Sequence, residues 1–229
     1  MYVIGGIIEE EQLAPPNRSF YFPVGGHSLR MPVASFGSYD AETLSFSTYV
    51  KSSSWLGGVP IFCDTALQSL RLKISDFGLI EFQSFRAGNT NTFASGTAAT
   101  VGVYNHILVH MDLSNPSPSA RMRLWLNGVE EGSTAGSIFE TTSSPPGGSM
   151  MLGNSGAGRD FYLYQPILFN NVLVDIADVY DGGTPIEVRE IAGAYSNIQS
   201  DNPNITDDWF LATNWTNTTS VQLSADIPV

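Results

Sequence analysis

The sequence predicts an all-β fold, an antiparallel sandwich or barrel, on three observations. Short runs alternate apolar with polar residues, clusters of Gly, Pro, Ser and Asn punctuate them at close intervals, and a single segment carries the marks of a helix.

The alternation begins with Leu44, Phe46 and Val50 set against Ser45, Ser47 and Tyr49. It returns where Leu70, Leu72 and Ile74 alternate with Arg71 and Lys73, and where Ile107, Val109 and Met111 alternate with His106, His110 and Asp112. Turn clusters stand between, at Gly25-Gly26, Ser52 to Ser54, Gly57-Gly58, Asn89 to Asn91, Asn115 to Ser119, Ser143 to Ser149 and Gly153 to Gly158. The clearest stretch is Ala120 to Ser133. Met122, Leu124 and Leu126 share one face, Arg121, Arg123 and Trp125 the other, and Asn127-Gly128 follows. Both turn residues tolerate positive φ, so a type I′ hairpin returning through Val129 is predicted.

The helix is predicted from Thr184 to about Ser196. Thr184 supplies an N-cap hydroxyl, Pro185 stands at N1 and Glu187 at N3, which makes a capping box. Val188, Ile191, Ala192 and Tyr195 then recur at i, i+3, i+4 and i+7, an apolar stripe fit to dock on a sheet. Beyond it the chain is polar, with Trp209, Phe210, Trp215, Val221 and Leu223 as isolated anchors. Too few apolar residues remain there for a separate core, so an extension strapped to the sandwich or to a neighbouring subunit is expected.

A chain of 229 residues can bury a core without disulfides or metal. Its one cysteine, Cys63, lies in the apolar run Val59 to Cys63 and reads as a small buried hydrophobe. A net charge of −12 opposes contact with phosphate backbones, so no nucleic-acid partner is expected. Charged residues are only 14% of the chain, which leaves much of the surface neutral and polar, rich in Ser, Thr, Asn and Gly and suited to packed assemblies and sugars. The apolar stretch Met1 to Ile8 is too short to span a membrane, lacks a basic start and runs into Glu9-Glu10-Glu11. Neither a signal peptide nor a membrane partner is expected. The N-x-Ser/Thr triplets at Asn17, Asn204, Asn214 and Asn217 read as chance in an Asn/Thr-rich chain.

Nucleophilic catalysis finds no support, because the cysteine sits in an apolar run and Gly-x-Ser-x-Gly is absent. His106 and His110, four apart on a strand, share a face but stand about 13 Å apart, too far to share a metal. A sugar would need exposed rings against its apolar face, with amide, carboxylate and guanidinium groups on its hydroxyls. Trp125 with Arg121, Arg123 and Asn127 is the best such cluster, and Tyr49, Trp55, Tyr162 and Tyr164 are further outward-pointing rings. The alternative is that these rings cover the second face of a sheet or pack on a neighbour.

Taken in order, these pieces resemble the concanavalin A-like lectin/glucanase superfamily, in particular its laminin-G-like and pentraxin-like modules, from about Phe20 to Tyr195. Thr43 to Lys51 (TLSFSTYVK) looks like the strand that opens one sheet, and Gln68 to Gln83 like the two that follow. Tyr104 to Leu113 (YNHILVHMDL) resembles the family's Trp-x-His strand with Tyr104 in place of tryptophan. Arg123 to Gly128 (RLWLNG) is similar to its aromatic-Asn-Gly hairpin. Met151-Leu152-Gly153 and Asp160 to Phe169 look like a later strand pair in which Tyr164-Gln165 replaces the usual Gly. The helix after Thr184 falls where the family has a short segment of its own.

The resemblance implies a two-sheet antiparallel jelly-roll sandwich over residues 20–196 with one short C-terminal helix, an arm at 1–19 and an extension at 197–229. Several phage structural and tail proteins resemble this arrangement. The expected function is therefore a non-enzymatic structural or decoration protein of a phage particle, located in the virion, that assembles with other virion proteins and as a homo-oligomer. Attachment to a host cell-surface polysaccharide is a further expected role. Tyr2, Ile4, Ile7, Ile8, Trp209, Phe210 and Trp215 are the expected assembly residues. The alternatives are a carbohydrate-binding module or adhesin and, behind it, a glycan hydrolase. The hydrolytic branch needs paired carboxylates about 5 Å apart, and its Glu-x-Asp-x-x-Glu pattern is absent; Glu42 and Glu81 stand singly. No cofactor is expected. Some relatives bind calcium, for which Asp112, Asn154 and Asp160 are weak candidates, but no Asp-x-Asp-x-Asp loop supplies the six to eight oxygens the ion takes.

Overall fold

The computed structural model describes residues 19–25, 28–32, 43–64, 70–86, 89–131, 149–153, 159–186, 194–197, 216–217, 222–224 and 228. Its strands in chain order are β1 (Ser19–Phe22), β2 (Ser28–Pro32), β3 (Thr43–Lys51), β4 (Val59–Asp64), β5 (Leu70–Ile74), β6 (Leu79–Arg86), β7 (Asn89–Ala98) and β8 (Asn105–Asp112). Then follow β9 (Met122–Leu126), β10 (Val129–Glu131), β11 (Ser149–Gly153), β12 (Phe161–Asn170), β13 (Ala194–Asn197), β14 (Thr216–Asn217) and β15 (Gln222–Ser224).

They form two antiparallel sheets. One runs β10-β9-β8-β3-β12-β1-β15, with β13 also on β12; the other runs β14-β2-β11-β4-β5-β6-β7. Consecutive strands change sheet after β1, β2, β3, β7, β10, β11, β13 and β14, the repeated crossing expected of a jelly roll. The chain after residue 197 returns to the sandwich, since β14 pairs with β2 and β15 with β1.

The period-2 pattern decides what faces the interior. Leu44, Phe46 and Val50 of β3 join Ile107, Val109 and Met111 of β8, Met122, Leu124 and Leu126 of β9, and Phe62, Leu72 and Phe82 of the facing sheet in one buried core. Phe46 and Phe62 meet across the two sheets, ring centroids 4.9 Å apart. Cys63 is buried. The hairpin after β9 is the predicted one: Asn127 and Gly128 have φ of 50° and 80°, and β10 pairs back on β9.

The outward face of the first sheet holds a second apolar cluster. Leu108, Trp125, Ile167 and Phe169 project from β8, β9 and β12, and Val174 and Val179 of the segment 171–186 lie over them. This strap is fastened by polar contacts: the Val174 N–H donates to Ser45 Oγ at 3.2 Å, Ser45 Oγ donates to the Val172 carbonyl at 2.8 Å, and His110 Nε2 lies 2.9 Å from the Val174 carbonyl.

The expected helix is corrected at both described ends. Thr184 sits in a β-bridge with Asp181, and Ala194–Asn197 is a strand on the far half of β12. β1 covers only Phe161, Leu163 and the residue between them, so the rest of that β12 edge leaves N–H and C=O groups that β13 pairs. Sheet pairing outweighs the capping signal there. Residues 187–193 lie outside the described residues.

Candidate functional site

Of the rings picked out by sequence, Trp125, Tyr49, Tyr162 and Tyr164 are on the predicted outer face and Trp55 is not, and burial changes what most of them can do. Trp125 is only 6% exposed, with His110 at 4.4 Å between ring centroids and Val174 and Val179 in its cluster. Tyr49 and Tyr164 are buried and meet edge-on at 5.9 Å; the Tyr49 hydroxyl reaches the Thr184 carbonyl at 3.4 Å. Trp55 belongs to the main core, its Nε1–H donating to the Ala99 carbonyl at 2.9 Å. The expectation that these four rings are open to a sugar is thus corrected. Large apolar area on a sheet's second face is itself worth covering, and residues 171–186 cover it.

The polar members of that cluster have structural duties. Arg123 is exposed, lies 4.6 Å over the Trp125 ring and makes two 2.7 Å bonds to the Glu130 carboxylate, which that contact holds below the usual carboxylate range. Arg121 Nε–H donates to the Asn115 carbonyl at 2.8 Å. Asn127 Oδ1 accepts from the His106 N–H at 2.8 Å, locking the hairpin to β8.

His106 and His110 also lie under the strap. His106 is completely buried, ringed by Tyr49 at 4.7 Å and Tyr180 at 4.9 Å, with Nε2 2.9 Å from Ser47 Oγ. Burial pushes its imidazole down to about 3, and it pushes His110 down to about 4 despite the Val174 carbonyl. Both rings are neutral near pH 7, and the strap closes them off from solvent.

Of the calcium candidates, Asp112 ends β8 and holds Ser114 Oγ at 2.6 Å, whereas Asp160 precedes β12 at the opposite end of the sheet. The eight residues of β8 set the two about 25 Å apart, at roughly 3.3 Å per residue. They do not share a site. Asn154 and the seven assembly residues, Tyr2, Ile4, Ile7, Ile8, Trp209, Phe210 and Trp215, lie outside the described residues.

What the fold does bring together is a row across four strands at one end of the first sheet. Tyr21 of β1 is the register partner of Tyr162 of β12, and Tyr162 is the partner of Lys51 of β3. Tyr104 completes it, one residue before Asn105, which faces Val50. The Tyr21 and Tyr162 rings lie 4.9 Å apart, and Lys51 Nζ stands 5.8 Å from the Tyr162 centroid and 5.4 Å from that of Tyr104. Asp160 closes one side, its carboxylate accepting from the Tyr21 hydroxyl and from Ser53 Oγ, each at 3.4 Å. Burial, with the Asp160 charge second, raises the Tyr21 phenol, which stays protonated and able to donate. All four members of the row are half-buried rather than covered.

Sequence reasoning found Tyr162 and missed Tyr21, Lys51 and Tyr104 as a group. The signal was partial: Tyr49 and Lys51 share a face of β3 by alternation, but only strand pairing shows that Tyr21, more than a hundred positions from Tyr162, lies beside it.

A family model described as the concanavalin A-like lectin/glucanases superfamily, laminin G type, matches residues 25–164. No curated protein sequence matches the chain. Among solved structures, a heptameric SAP-like pentraxin from Limulus polyphemus aligns at TM-score 0.61 and 12% identity, over 92% of this chain and 97% of that one. A Bacteroides ovatus protein provisionally described as carbohydrate-binding aligns at 0.65 and 13%, over 94% of this chain and 62% of that one. Botulinum neurotoxin type C, whose cell entry is described as dependent on two ganglioside molecules, aligns at 0.50 and 9%, over 70% and 45%. This chain therefore spans less than two thirds of the last two. At such identities the likeness is one of fold.

Proposed function

The chain belongs to the concanavalin A-like lectin/glucanase superfamily, and on that premise we propose that it is a non-enzymatic carbohydrate-binding module whose site is the row Tyr21, Tyr162, Lys51 and Tyr104. One observation carries the reading: three half-buried phenol rings and an ammonium group stand side by side across paired strands, with a carboxylate at the margin. Such rings offer an apolar face to a pyranose, while Lys51, Asp160 and Ser53 offer donors and acceptors to its hydroxyls. The rigid sheet holds them in place, so little ordering is needed on binding. The fold of the structural neighbours, including one described as carbohydrate-binding, agrees with it.

The finer reading is that this module decorates a phage particle and assists attachment to host polysaccharide. It rests on the neutral, hydroxyl-rich surface and on the resemblance to phage structural proteins. Locating the chain on purified particles with a specific antibody tests that setting separately.

The binding site is tested by a glycan array of the full chain followed by titration of the best hit. Tyr162→Ala and Tyr21→Ala should each weaken binding by about tenfold, near the worth of one ring contact, with unfolding midpoints close to that of the native chain. A silent array, or full affinity in both variants, overturns the reading.

A further inference from the structure

The loops at the end of the sandwich that carries the tyrosine row share a feature the proposed function does not use. In four of them an apolar residue directly precedes a glycine at positive φ: Val24 before Gly25 (115°), Leu56 before Gly57 (86°), Phe77 before Gly78 (80°) and Val101 before Gly102 (80°). Turn apices normally take polar residues. Here they take valine, leucine and phenylalanine, exposed by 59%, 60%, 85% and 48%. Six of the seven exposed large hydrophobic residues among the described ones lie at this end, Val103 and Val129 being the others.

Register and hydrogen bonds place these apices together. The Trp55 Nε1–H and the Ala99 N–H tie the Leu56, Phe77 and Val101 loops through Ala99 and Gly78, at 2.9 and 2.8 Å, and the Gly102 N–H donates to the Ser52 carbonyl at 2.9 Å. Phe22, just before the Val24 turn, pairs with Phe161 beside the same end of β12. Among the described residues the opposite end shows a different surface, the exposed Ser114, Pro116, Ser117 and Ser119.

We propose that this end inserts its apolar loop tips into the interfacial zone of a zwitterionic lipid bilayer. The tips are single side chains flanked by polar groups such as Asp76, Thr100 and Asn127, all exposed. A rigid protein partner would need a separate pit for each, whereas a bilayer interface accepts isolated apolar side chains without shape matching. Charge selects the lipid. At this end Lys51 and Arg159 face Asp76, Asp160 and Asp181, and the chain as a whole carries −12, so an anionic surface repels it and a zwitterionic one does not. Tyr21, Tyr104 and Tyr162 with Lys51 stand just behind the tips, the amphipathic composition favoured at headgroup depth. No helix among the described residues is long and apolar enough to cross a membrane; the contact proposed is with the surface. Sequence reading expected no membrane partner because the apolar stretch Met1 to Ile8 is too short to span one; tips this far apart in the chain form no run for such a reading to find.

The experiment is flotation of the full chain with pure phosphatidylcholine vesicles and with phosphatidylserine-rich ones, alongside sedimentation equilibrium without lipid. The chain should float with phosphatidylcholine and less well with phosphatidylserine at low salt. Phe77→Ser combined with Leu56→Ser should weaken flotation at least about tenfold, given the transfer cost of those side chains. Both positions are exposed, so the unfolding midpoint serves as the folding control. Absence of flotation, or equal flotation of the double variant, overturns the proposal. Self-association that the same substitutions abolish, in a chain that ignores vesicles, makes a second copy the occupant and overturns it too.

Discussion

Tyr180 of the strap packs against Gly128 of the hairpin, its Cε1 only 2.5 Å and its Cδ1 2.7 Å from where a Cβ on that glycine would stand. Two features far apart in sequence, an Asn-Gly turn and a lone tyrosine, thereby lock the strap onto the first sheet. Gly128 is needed twice over, for its φ of 80° and for the space its missing side chain leaves.

Gly128→Ala should destabilise the fold by about 2 to 4 kcal/mol, combining left-handed strain with the displaced ring. Gly102 has the same φ and nothing within 4 Å of a Cβ, so Gly102→Ala should cost only the strain, about 1 to 2 kcal/mol. Urea denaturation of the two variants side by side isolates the Tyr180 contact; equal losses would mean the ring simply moves aside.

Leu124 and Arg123 are neighbours on β9 with opposite fates. Leu124 is fully buried in the core, and Leu124→Ala should cost about 2 to 5 kcal/mol. Arg123 pairs with Glu130 across a surface where both side chains are nearly half exposed, so Arg123→Ala should cost less than about 1 kcal/mol. Chemical denaturation reads both, and matching losses would contradict the strand register.

The buried histidines predict acid sensitivity. Their folded values, about 3 for His106 and about 4 for His110, lie below the ordinary 6.5, so the unfolded chain binds protons first. Their contribution is complete above about pH 6.5 and declines as the pH falls towards 4 and then 3. Unfolding midpoints measured from pH 7 to pH 4 should fall, and His110→Gln should flatten the curve over that window. A slope unchanged by the substitution would assign it to other groups.

Gln165 lies in β12 at the register shift between Tyr164 and Ile167, buried, with φ of 47° and its Nε2 without a partner. It belongs to the Tyr164-Gln165 pair that stands where the resembled strand pattern usually has glycine. Gln165→Gly should leave the thermal midpoint equal or higher, because relief of strain offsets lost burial, whereas Gln165→Val should lower it. The reverse order would show that the side chain stabilises the bulge.

Local pattern determined much of this protein. Alternation marked the inward faces of β3, β8 and β9, and Asn127-Gly128 marked a hairpin whose backbone preferences are intrinsic to those two residues. What alternation leaves open is the fate of the outward face, since Trp125, Tyr49 and Tyr164 read identically to Tyr162. Tertiary structure decided that: the strap 171–186 packs Val174 and Val179 with Trp125 and Tyr180 beside Tyr49, Tyr164 is buried edge-on to Tyr49, and Tyr162 stays half-buried where pairing of β1, β12 and β3 assembles the tyrosine row. Likewise the capping box at Thr184 is a local preference of the order of one kcal/mol, and the unpaired edge of β12 claimed Ala194–Asn197 as a strand because open backbone groups cost more to leave than a cap is worth.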